Sequence, residues 1–160
     1  HLQSNDSFIV ASQIAAVAKN GSYDLIFTGK ETIDYNSASI GSMVAAILDL
    51  PYISLANHFT LNGNDAIIKR EIEGGEETNE VSLPVVVSCQ KGMAEQRIPN
   101  MRGIMAARTK PLHVQEPIAC DETTQVMQYE LPPAKQGVKL VAPDNMDELV
   151  RLLKEEAKVI

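Results

Sequence analysis

The apolar residues near the start of the chain recur at the spacing of a helix. Along residues 4–20 they lie three or four positions apart, so one face of the predicted helix is apolar. That face consists of Phe8, Ala11, Ile14, Ala15 and Ala18. Asp6 or Ser7 can cap the start, and Asn20 followed by Gly21 ends the helix. The small alanine side chains indicate close packing on a sheet.

A strand, a loop and a second helix follow in residues 23–50. Residues 23–28 form a short apolar and β-branched run, typical of a buried strand, and residues 29–41 are small or polar. Ser42 can cap the second helix, and Pro51 ends it. The apolar stripe of this helix is Met43, Ala46, Ile47 and Leu50. Backbone N–H groups and the helix dipole at such a turn favour a phosphate group.

The pattern therefore predicts a phosphate-binding βα turn, and a purely structural turn stays open as the alternative. The segment matches neither GxGxxG nor GxxxxGK[ST], so those two phosphate-binding mechanisms do not apply. Turns of this general shape occur in every α/β domain, and most of them hold no ligand.

Beyond Pro51 the chain changes to consecutive short strands. They are predicted at residues 52–56, 59–61, 66–72, 77–83 and 85–89, with a tight turn at residues 62–65. Together with the alternating helices and strands before Pro51, this predicts an α/β fold, with a doubly wound, mostly parallel sheet and an antiparallel section. Ligands of such sheets bind beyond the carboxyl ends of the strands, where residues 29–41 would lie. Cys89 is expected to pack as a small apolar residue rather than to react as a thiol.

Met101 is an apolar residue in a polar and cationic loop that leads into a predicted short helix at residues 103–108. One interpretation is that its side chain fills a gap in the core. The other is that it is an exposed anchor for a partner protein, with a charged rim around it. That rim would consist of Arg97, Arg102 and Arg108.

The remainder of the chain is predicted to be largely extended. Residues 112–115 and 138–141 are strand candidates, and residues 116–137 read as a long connection because they contain several prolines and few large apolar side chains. Asp144 with Asp147 resembles a capping box at the start of a last helix. The apolar face of that helix is Met146, Leu149, Val150 and Leu153.

Composition and charge exclude several classes of function. The chain has 160 residues, 44% of them hydrophobic and 22% charged, as expected of one soluble domain. Its net charge of −7 argues against nucleic-acid binding. No apolar run reaches the roughly 18 residues of a membrane span, and no signal peptide is visible. The two cysteines, Cys89 and Cys120, fit a reducing compartment.

No arrangement of residues in the sequence predicts catalysis or metal binding. His58 and His113 stand alone, His1 is at the chain start, and no HExxH or paired-cysteine spacing is present. Ser, His and Asp are not placed together as in GxSxG.

Four segments resemble, in the same order, the beta subunit of the electron transfer flavoprotein family. They are DLIFTGKETID, REIEGGEET followed by VSLPVVV, the PNMRGIMAAR loop, and the closing short helix. Together they cover most of the chain. Members of that family are longer at the N-terminus by several strands and helices, so the resemblance implies that this chain starts partway through the domain. The absence of an initiator methionine at His1 agrees with that expectation.

The resemblance implies that the loop after the first strand binds an adenine nucleotide. The implied contacts are Gly29, Thr32, Asp34, Ser37, Ala38, Ser39, Ile40 and Gly41. In most members the nucleotide is AMP, and in electron-bifurcating members it is a second FAD. Members with AMP typically have Asn-Gln-Thr where Ala38, Ser39 and Ile40 stand here, and SASIG is more similar to the TAQVG of the bifurcating type. The choice between AMP and a second FAD therefore stays open.

The resemblance also implies partners. The redox FAD would be carried mainly by an alpha subunit, and a loop of the beta subunit would enter a pocket on acyl-CoA or other flavin dehydrogenases. Met101 stands at the anchor position of that loop, and Arg102 and Ile104 follow it. Glu71 matches a glutamate that orients the flavin domain. Electron transfer of this kind requires no general acid or base from the beta subunit, so the chain is expected to be an electron carrier and not an enzyme.

The resemblance implies that residues 1–116 are the C-terminal portion of a nucleotide-binding α/β domain with the adenine-nucleotide alpha-hydrolase-like fold. Residues 117–160 form an extended arm and a C-terminal helix that pack on the partner subunit. The expected location is the bacterial cytoplasm, or the mitochondrial matrix for a eukaryotic chain, without nucleic-acid binding or membrane insertion. Two alternatives are a stand-alone adenine-nucleotide module of the universal-stress or hydrolase-like type and a purely structural assembly subunit.

Overall fold

A computed structural model describes residues 6–135 and 137–160, which form two compact units. The first unit contains the residues up to Gln125, and the second is Val126–Ile160. The helices are α1 (Ser7–Gly21), α2 (Ile40–Leu48), α3 (Met101–Ala107) and α4 (Met146–Arg151). The strands are β1 (Leu25–Gly29), β2 (Tyr52–Asn62), β3 (Asp65–Ile72), β4 (Gly75–Ser82) and β5 (Val85–Cys89). His1 and the predicted helix start at residue 4 lie outside the described residues, and the predicted domain division at residue 116 stays a prediction.

The five strands form one mixed sheet in the order β1-β5-β2-β3-β4. β5 pairs in parallel with both β1 and β2. β2, β3 and β4 are consecutive antiparallel strands, joined at the first turn by Gly63 with φ of 63°. The α/β class and the antiparallel section are confirmed.

Strand β5 is the centre of the first unit because both of its faces are covered. Val85 and Val87 pack in a cluster with Ala56, Ala66 and Ile68. Val86 is also buried, and it points to the opposite face of the sheet because successive side chains of a strand alternate. An uninterrupted valine run is typical of a strand that is buried on both faces. Cys89 packs against the same cluster, and its burial raises the pKa of the thiol, which confirms it as an apolar residue of the core.

The two N-terminal helices pack against each other, and their buried faces differ from the predicted ones. In α1, Ile9 and Ser12 are buried with Ala11, Ala15 and Ala18, whereas Ile14 is exposed. In α2 the buried residues are Gly41, Val44 and Ala45, so the predicted stripe beginning at Met43 was wrong. The helix begins at Ile40 after Ser39, not after Ser42, and it ends at Asp49 in the left-handed conformation before Pro51 is reached. These faces are set by contact between helices, which spacing alone does not reveal.

Strand β2 is a single strand where the sequence predicts two. Its register shifts between Ile53 and Ala56 and again between Ala56 and His58. Leu55, within the first of these shifts, has a φ of 57°, and its N–H donates to Ser88 Oγ at 2.8 Å. The predicted break is therefore a pair of irregularities in strand pairing, and β2 continues through both of them.

The two strands predicted in the second half are absent. Residues 112–115 and 138–141, all of which the structure describes, are neither helix nor strand, because a short β-prone run forms a strand only where a sheet edge pairs with it. Helix α4 begins after Asn145, whose Oδ1 accepts from Glu148 N–H, so the predicted cap at Asp144 was wrong. A π-helical segment, Leu152–Glu156, continues it.

In the described part of the chain, every helix is too short or too polar to cross a lipid bilayer. Across the same residues, no group of three or more His, Cys, Asp and Glu side chains is arranged to hold a metal ion.

Candidate functional site

A cavity of about 340 Å³ lies at the carboxyl end of β1. Its wall comes from one residue of α1, from β1, from the loop that follows β1 and from the first turn of α2. The lining residues are Ile14, Ile26, Phe27, Thr28, Gly29, Lys30, Glu31, Thr32, Ser37, Ala38, Ile40 and Gly41. The volume lies within the range of about 300–1,000 Å³ that is usual for ligand pockets. The cavity therefore has the size and position of a ligand site at the end of a parallel strand.

Six of the eight residues predicted to contact a nucleotide line this cavity. They are Gly29, Thr32, Ser37, Ala38, Ile40 and Gly41. Asp34 and Ser39 do not line it. Sequence reasoning missed Ile14 and Phe27, because Ile14 reads as part of the core-facing stripe of α1 and Phe27 as the middle of a buried strand. Phe27 is 50% exposed, because β1 is an edge strand of the described sheet.

The loop after β1 is fixed by hydrogen bonds within itself. Thr32 N–H donates to Ser37 O at 3.0 Å, and Asn36 N–H donates to Thr32 O at 3.1 Å. Ser37 N–H donates to Thr32 Oγ1 at 3.1 Å. Hydrogen bonds from the Thr32 hydroxyl and from Tyr35 N–H lower the pKa of Asp34. Asp34 therefore stays ionised and holds the tip of the loop, rather than facing the cavity.

The N-terminus of α2 leaves its backbone donors available to a ligand. Its N-cap residue, Ser39, makes no side-chain capping hydrogen bond within the described part of the chain. The Ser39 hydroxyl instead lies 3.0 Å from Ser37 Oγ. The first N–H groups of a helix have no partner inside the helix, and the helix dipole adds partial positive charge there. With Ile40 and Gly41 on the cavity wall, this end of the cavity favours an anionic group such as a phosphate.

Gly41 is required by packing against the sheet. A Cβ at this position would lie 2.6 Å from Thr28 Oγ1 and 3.1 Å from Tyr52 Cε2. Thr28 Oγ1 is buried and, among the described residues, has no hydrogen-bond partner. The close approach of α2 to β1 and β2 therefore depends on glycine, whether or not a ligand is bound. At Gly29, by contrast, a Cβ would meet no described atom within 4 Å.

Helix α3 presents apolar side chains to solvent. Its start is capped by Asn100, whose Oδ1 accepts from Gly103 N–H at 2.8 Å. Met101 is 73% exposed, and Arg102 and Ile104 are also exposed. The core-filling interpretation of Met101 was wrong, because the side chain lies on the surface. An exposed Met and Ile on a capped helix next to an arginine form a candidate partner surface.

Glu71 is exposed near the end of β3, and it is not among the residues that line the cavity. Its Oε2 accepts from Gln90 Nε2 at 3.4 Å. Its neighbour Arg70 donates to Glu77 and, at 2.8 Å, to Ser54 Oγ. The hydrogen bond from Arg70 lowers the pKa of Glu77. Glu71 thus projects from a strand whose neighbouring side chains are fixed.

The structure defines an α/β protein with a ligand cavity at the carboxyl end of a parallel strand and an anion-favouring helix N-terminus beside it. The electron transfer flavoprotein domain matches residues 1–119. The chain belongs to the electron transfer flavoprotein family.

Several relatives of this chain are named as beta subunits. The electron transfer flavoprotein subunit beta of Bacillus subtilis is 34% identical over an alignment of 169 positions. The alignment covers 99% of this chain and 66% of the relative. The human subunit beta is 34% identical over 155 residues, which cover 94% of this chain and 60% of that protein. Subunit CarD of the caffeyl-CoA reductase-Etf complex of Acetobacterium woodii is 30% identical, and the alignment covers 94% of this chain and 63% of CarD. The chain thus spans less than two thirds of the length of these relatives.

Proposed function

We propose that this chain is part of the beta subunit of an electron transfer flavoprotein and binds an adenine nucleotide in the cavity after β1. The observation that carries the proposal is that six of the eight predicted residues line one cavity, next to a helix N-terminus without a side-chain cap. The family membership of the chain and the names of its relatives support the first part of the proposal, a beta subunit of an electron transfer flavoprotein.

The residues of the cavity suit the two parts of an adenine nucleotide. Backbone N–H groups at Ile40 and Gly41 are available for a phosphate. Ile14, Ile26 and Phe27 offer apolar surface to a ring. Thr32 and Ser37 supply hydroxyl groups, although both also take part in the hydrogen bonds of the loop. AMP and the adenylate half of FAD share this chemistry, so either nucleotide is a candidate.

The partners follow from the same proposal. An alpha subunit would carry the redox FAD, and this chain would be an electron-carrier subunit that supplies no acid–base chemistry. Met101, Arg102 and Ile104 would contact acyl-CoA or other flavin dehydrogenases. Glu71 would orient the flavin domain. The proposed location is the bacterial cytoplasm, or the mitochondrial matrix for a eukaryotic chain; the relative from Arabidopsis thaliana is named mitochondrial.

The test is the nucleotide content of the assembled protein. The full-length protein would be co-expressed with its alpha subunit, purified and denatured with acid, and the released nucleotides would be separated and identified by mass spectrometry. One FAD with one AMP per complex supports a simple electron carrier, and two FAD support a bifurcating type. One FAD with no second nucleotide would refute the binding role of the cavity. Nucleotide bound by the chain without any alpha subunit would support the stand-alone module instead.

A further inference from the structure

The first turn of α1 lies between two segments that are far apart in sequence. One is the loop of residues 32–39, which we call the nucleotide loop. The other is residues 117–125, which we call the strap. The strap is neither helix nor strand, it bends at Thr123, and it belongs to the same compact unit as α1. Asp6 and Ser7, at the start of α1, make hydrogen bonds to these two segments.

Asp6 caps α1 with Oδ1 and holds the backbone of the strap with Oδ2. Oδ1 accepts from Phe8 N–H at 2.7 Å and from the Thr123 hydroxyl at 3.2 Å. Oδ2 accepts from Thr124 N–H at 2.7 Å and from the Thr123 hydroxyl at 2.9 Å. The side chain is buried, with 4% of the residue exposed. Burial alone would raise the pKa of Asp6, but these hydrogen bonds outweigh burial and hold it well below its ordinary value, so the carboxylate stays charged.

Gln13 holds the strap at a second point, two turns further along α1. Its Nε2 donates to Ile118 O at 3.0 Å, and Ile118 N–H donates to Gln13 Oε1 at 2.8 Å. The side-chain amide thus pairs with the strap backbone as a neighbouring strand would. The strap is fixed at both ends, at Ile118 and at Thr123–Thr124.

Ser7 connects the same turn of α1 to the nucleotide loop. Its Oγ lies 3.3 Å from Ser37 Oγ, which is a long hydrogen bond. Ser37 Oγ lies 3.0 Å from Ser39 Oγ, and Ser39 is the N-cap of α2. The strap is therefore linked to the cavity wall in three steps. It is hydrogen-bonded to Asp6, Asp6 is joined to Ser7 by a peptide bond, and Ser7 is hydrogen-bonded to Ser37 on the cavity wall.

We propose that Asp6 and Ser7 are positioning residues that couple the strap to the nucleotide loop. A strap bound to Asp6 holds the first turn of α1 in place, and Ser7 in that turn holds Ser37 at the cavity wall and, through Ser37, Ser39 at the start of α2. The coupling concerns the residues of this chain alone; only its consequence for the ligand rests on the function proposed above. Because coupling between two sites is reciprocal, nucleotide in the cavity also orders the strap.

The test is amide hydrogen exchange in the full-length protein within its complex, first without nucleotide. Asp6→Asn keeps an oxygen that can cap Phe8, but it replaces Oδ2, which accepts from the backbone N–H groups of Thr123 and Thr124, by a donor. We expect exchange at Thr123 and Thr124 to become roughly tenfold faster, because hydrogen bonds to a charged acceptor are the strong ones. We also expect faster exchange in the nucleotide loop. Faster exchange in the strap with an unchanged loop would overturn the coupling, and an unchanged strap would overturn the role of Asp6.

Gln13→Ala is the matched control, since it releases the strap at Ile118 without touching Ser7. The loop should keep its exchange rate in this variant, and a loop that loosens as much as in Asp6→Asn would overturn the route through Ser7. Ser7→Ala should loosen the loop, and Ser7→Thr, which keeps the hydroxyl, should restore it. If Asp6→Asn raises exchange throughout β5, the variant protein has unfolded. Thr123→Val then takes its place, and the same changes in the strap and the nucleotide loop decide the coupling.

AMP added to the nucleotide-free complex separates this proposal from the previous one. Slower exchange in both the loop and the strap supports both proposals. Protection of the loop without the strap overturns the coupling and leaves nucleotide binding standing. No protection of the loop counts against nucleotide binding, and the ligand-free comparison of Asp6→Asn with Gln13→Ala still decides the coupling.

Discussion

Gly29 and Gly41 both line the cavity, but a methyl group would have a different effect at each. At Gly41 the space is already filled by the Thr28 hydroxyl and the Tyr52 ring. At Gly29, which also lines the cavity, a Cβ would meet no described atom within 4 Å. Alanine at Gly41 therefore tests protein packing, and alanine at Gly29 tests whether a ligand occupies the cavity. The pair allows stability and binding to be measured separately.

We predict that Gly41→Ala destabilises the protein. Alanine is favoured over glycine inside a helix by about 1 kcal/mol. The new Cβ at 2.6 Å from Thr28 Oγ1 overpacks a β-branched residue that cannot turn away freely, at a cost of about 1–3 kcal/mol. A net loss of about 1 kcal/mol is expected in urea unfolding of the complex. Ser42→Ala, on the exposed side of the same helix, is the control for helix propensity, and an equal gain in both variants would contradict the packing argument.

Gly29→Ala is predicted to leave the free energy of unfolding of the nucleotide-free protein unchanged, because its Cβ meets no described atom within 4 Å. Bound nucleotide should nevertheless fall, because a methyl group would occupy the place where the backbone faces the cavity. Nucleotide content is measured after acid release, as for the unmodified complex. Full nucleotide content in this variant would show that the ligand does not approach Gly29.

At the residue scale, the site was predictable where its residues are consecutive in sequence. Residues 29–41 were predicted as one loop, and most of them do line one cavity. Ile14, from α1, could not be placed there, because its position depends on how α1 packs against α2. The links from Asp6 to Thr123 and Thr124 span more than a hundred residues, and no spacing rule relates them.

At the scale of elements, the strands were predicted better than the helix faces. The valine run at β5 and the turn at Gly63 act locally, so their positions follow from a few residues. The buried faces of α1 and α2 depend on where two helices touch. Residues 112–115 have strand-forming side chains but no partner edge, and pairing with a partner is what turns such a run into a strand. The strand-forming side chains were identified correctly, but the sequence does not reveal whether a sheet edge is available to pair with them.

Helix α3 carries the prediction that belongs to this scale. Met101→Ala should lower the second-order rate constant of electron uptake from a partner dehydrogenase about thirtyfold, since an apolar anchor that a partner buries typically contributes about 2 kcal/mol to binding. The yield of the complex with the alpha subunit should not change, because Met101 is exposed and outside the core. The rate is measured by stopped-flow reduction of the flavin. Leu61→Ala, at an exposed position on the β2–β3 hairpin, is the control; equal rates for Met101→Ala and the unmodified protein would remove the anchor role.

At the scale of the whole molecule, the two compact units bury very different amounts of apolar surface. The first has a continuous core on the sheet. In Val126–Ile160 none of the described residues is buried, and many large apolar side chains are exposed. Among them are Met127, Tyr129, Leu131, Val138, Leu140, Val150 and Ile160. A unit of this kind gains little from its own packing, and its ion pairs between Arg151 and Glu148 or Glu155 are exposed and contribute little.

The apolar surface of Val126–Ile160 therefore predicts that a partner covers it. In limited trypsin digestion, the chain alone should be cut first at Lys135 and Lys139, which are exposed and lie in neither helix nor strand. With the alpha subunit bound, cleavage at both sites should slow by about tenfold or more, because a protease needs an accessible and flexible segment. Lys69 and Arg70, within paired β3, are the internal reference and should resist cleavage in both samples. Equal cleavage at Lys135 and Lys139 with and without the alpha subunit would mean that the exposed apolar side chains of this unit face a different partner.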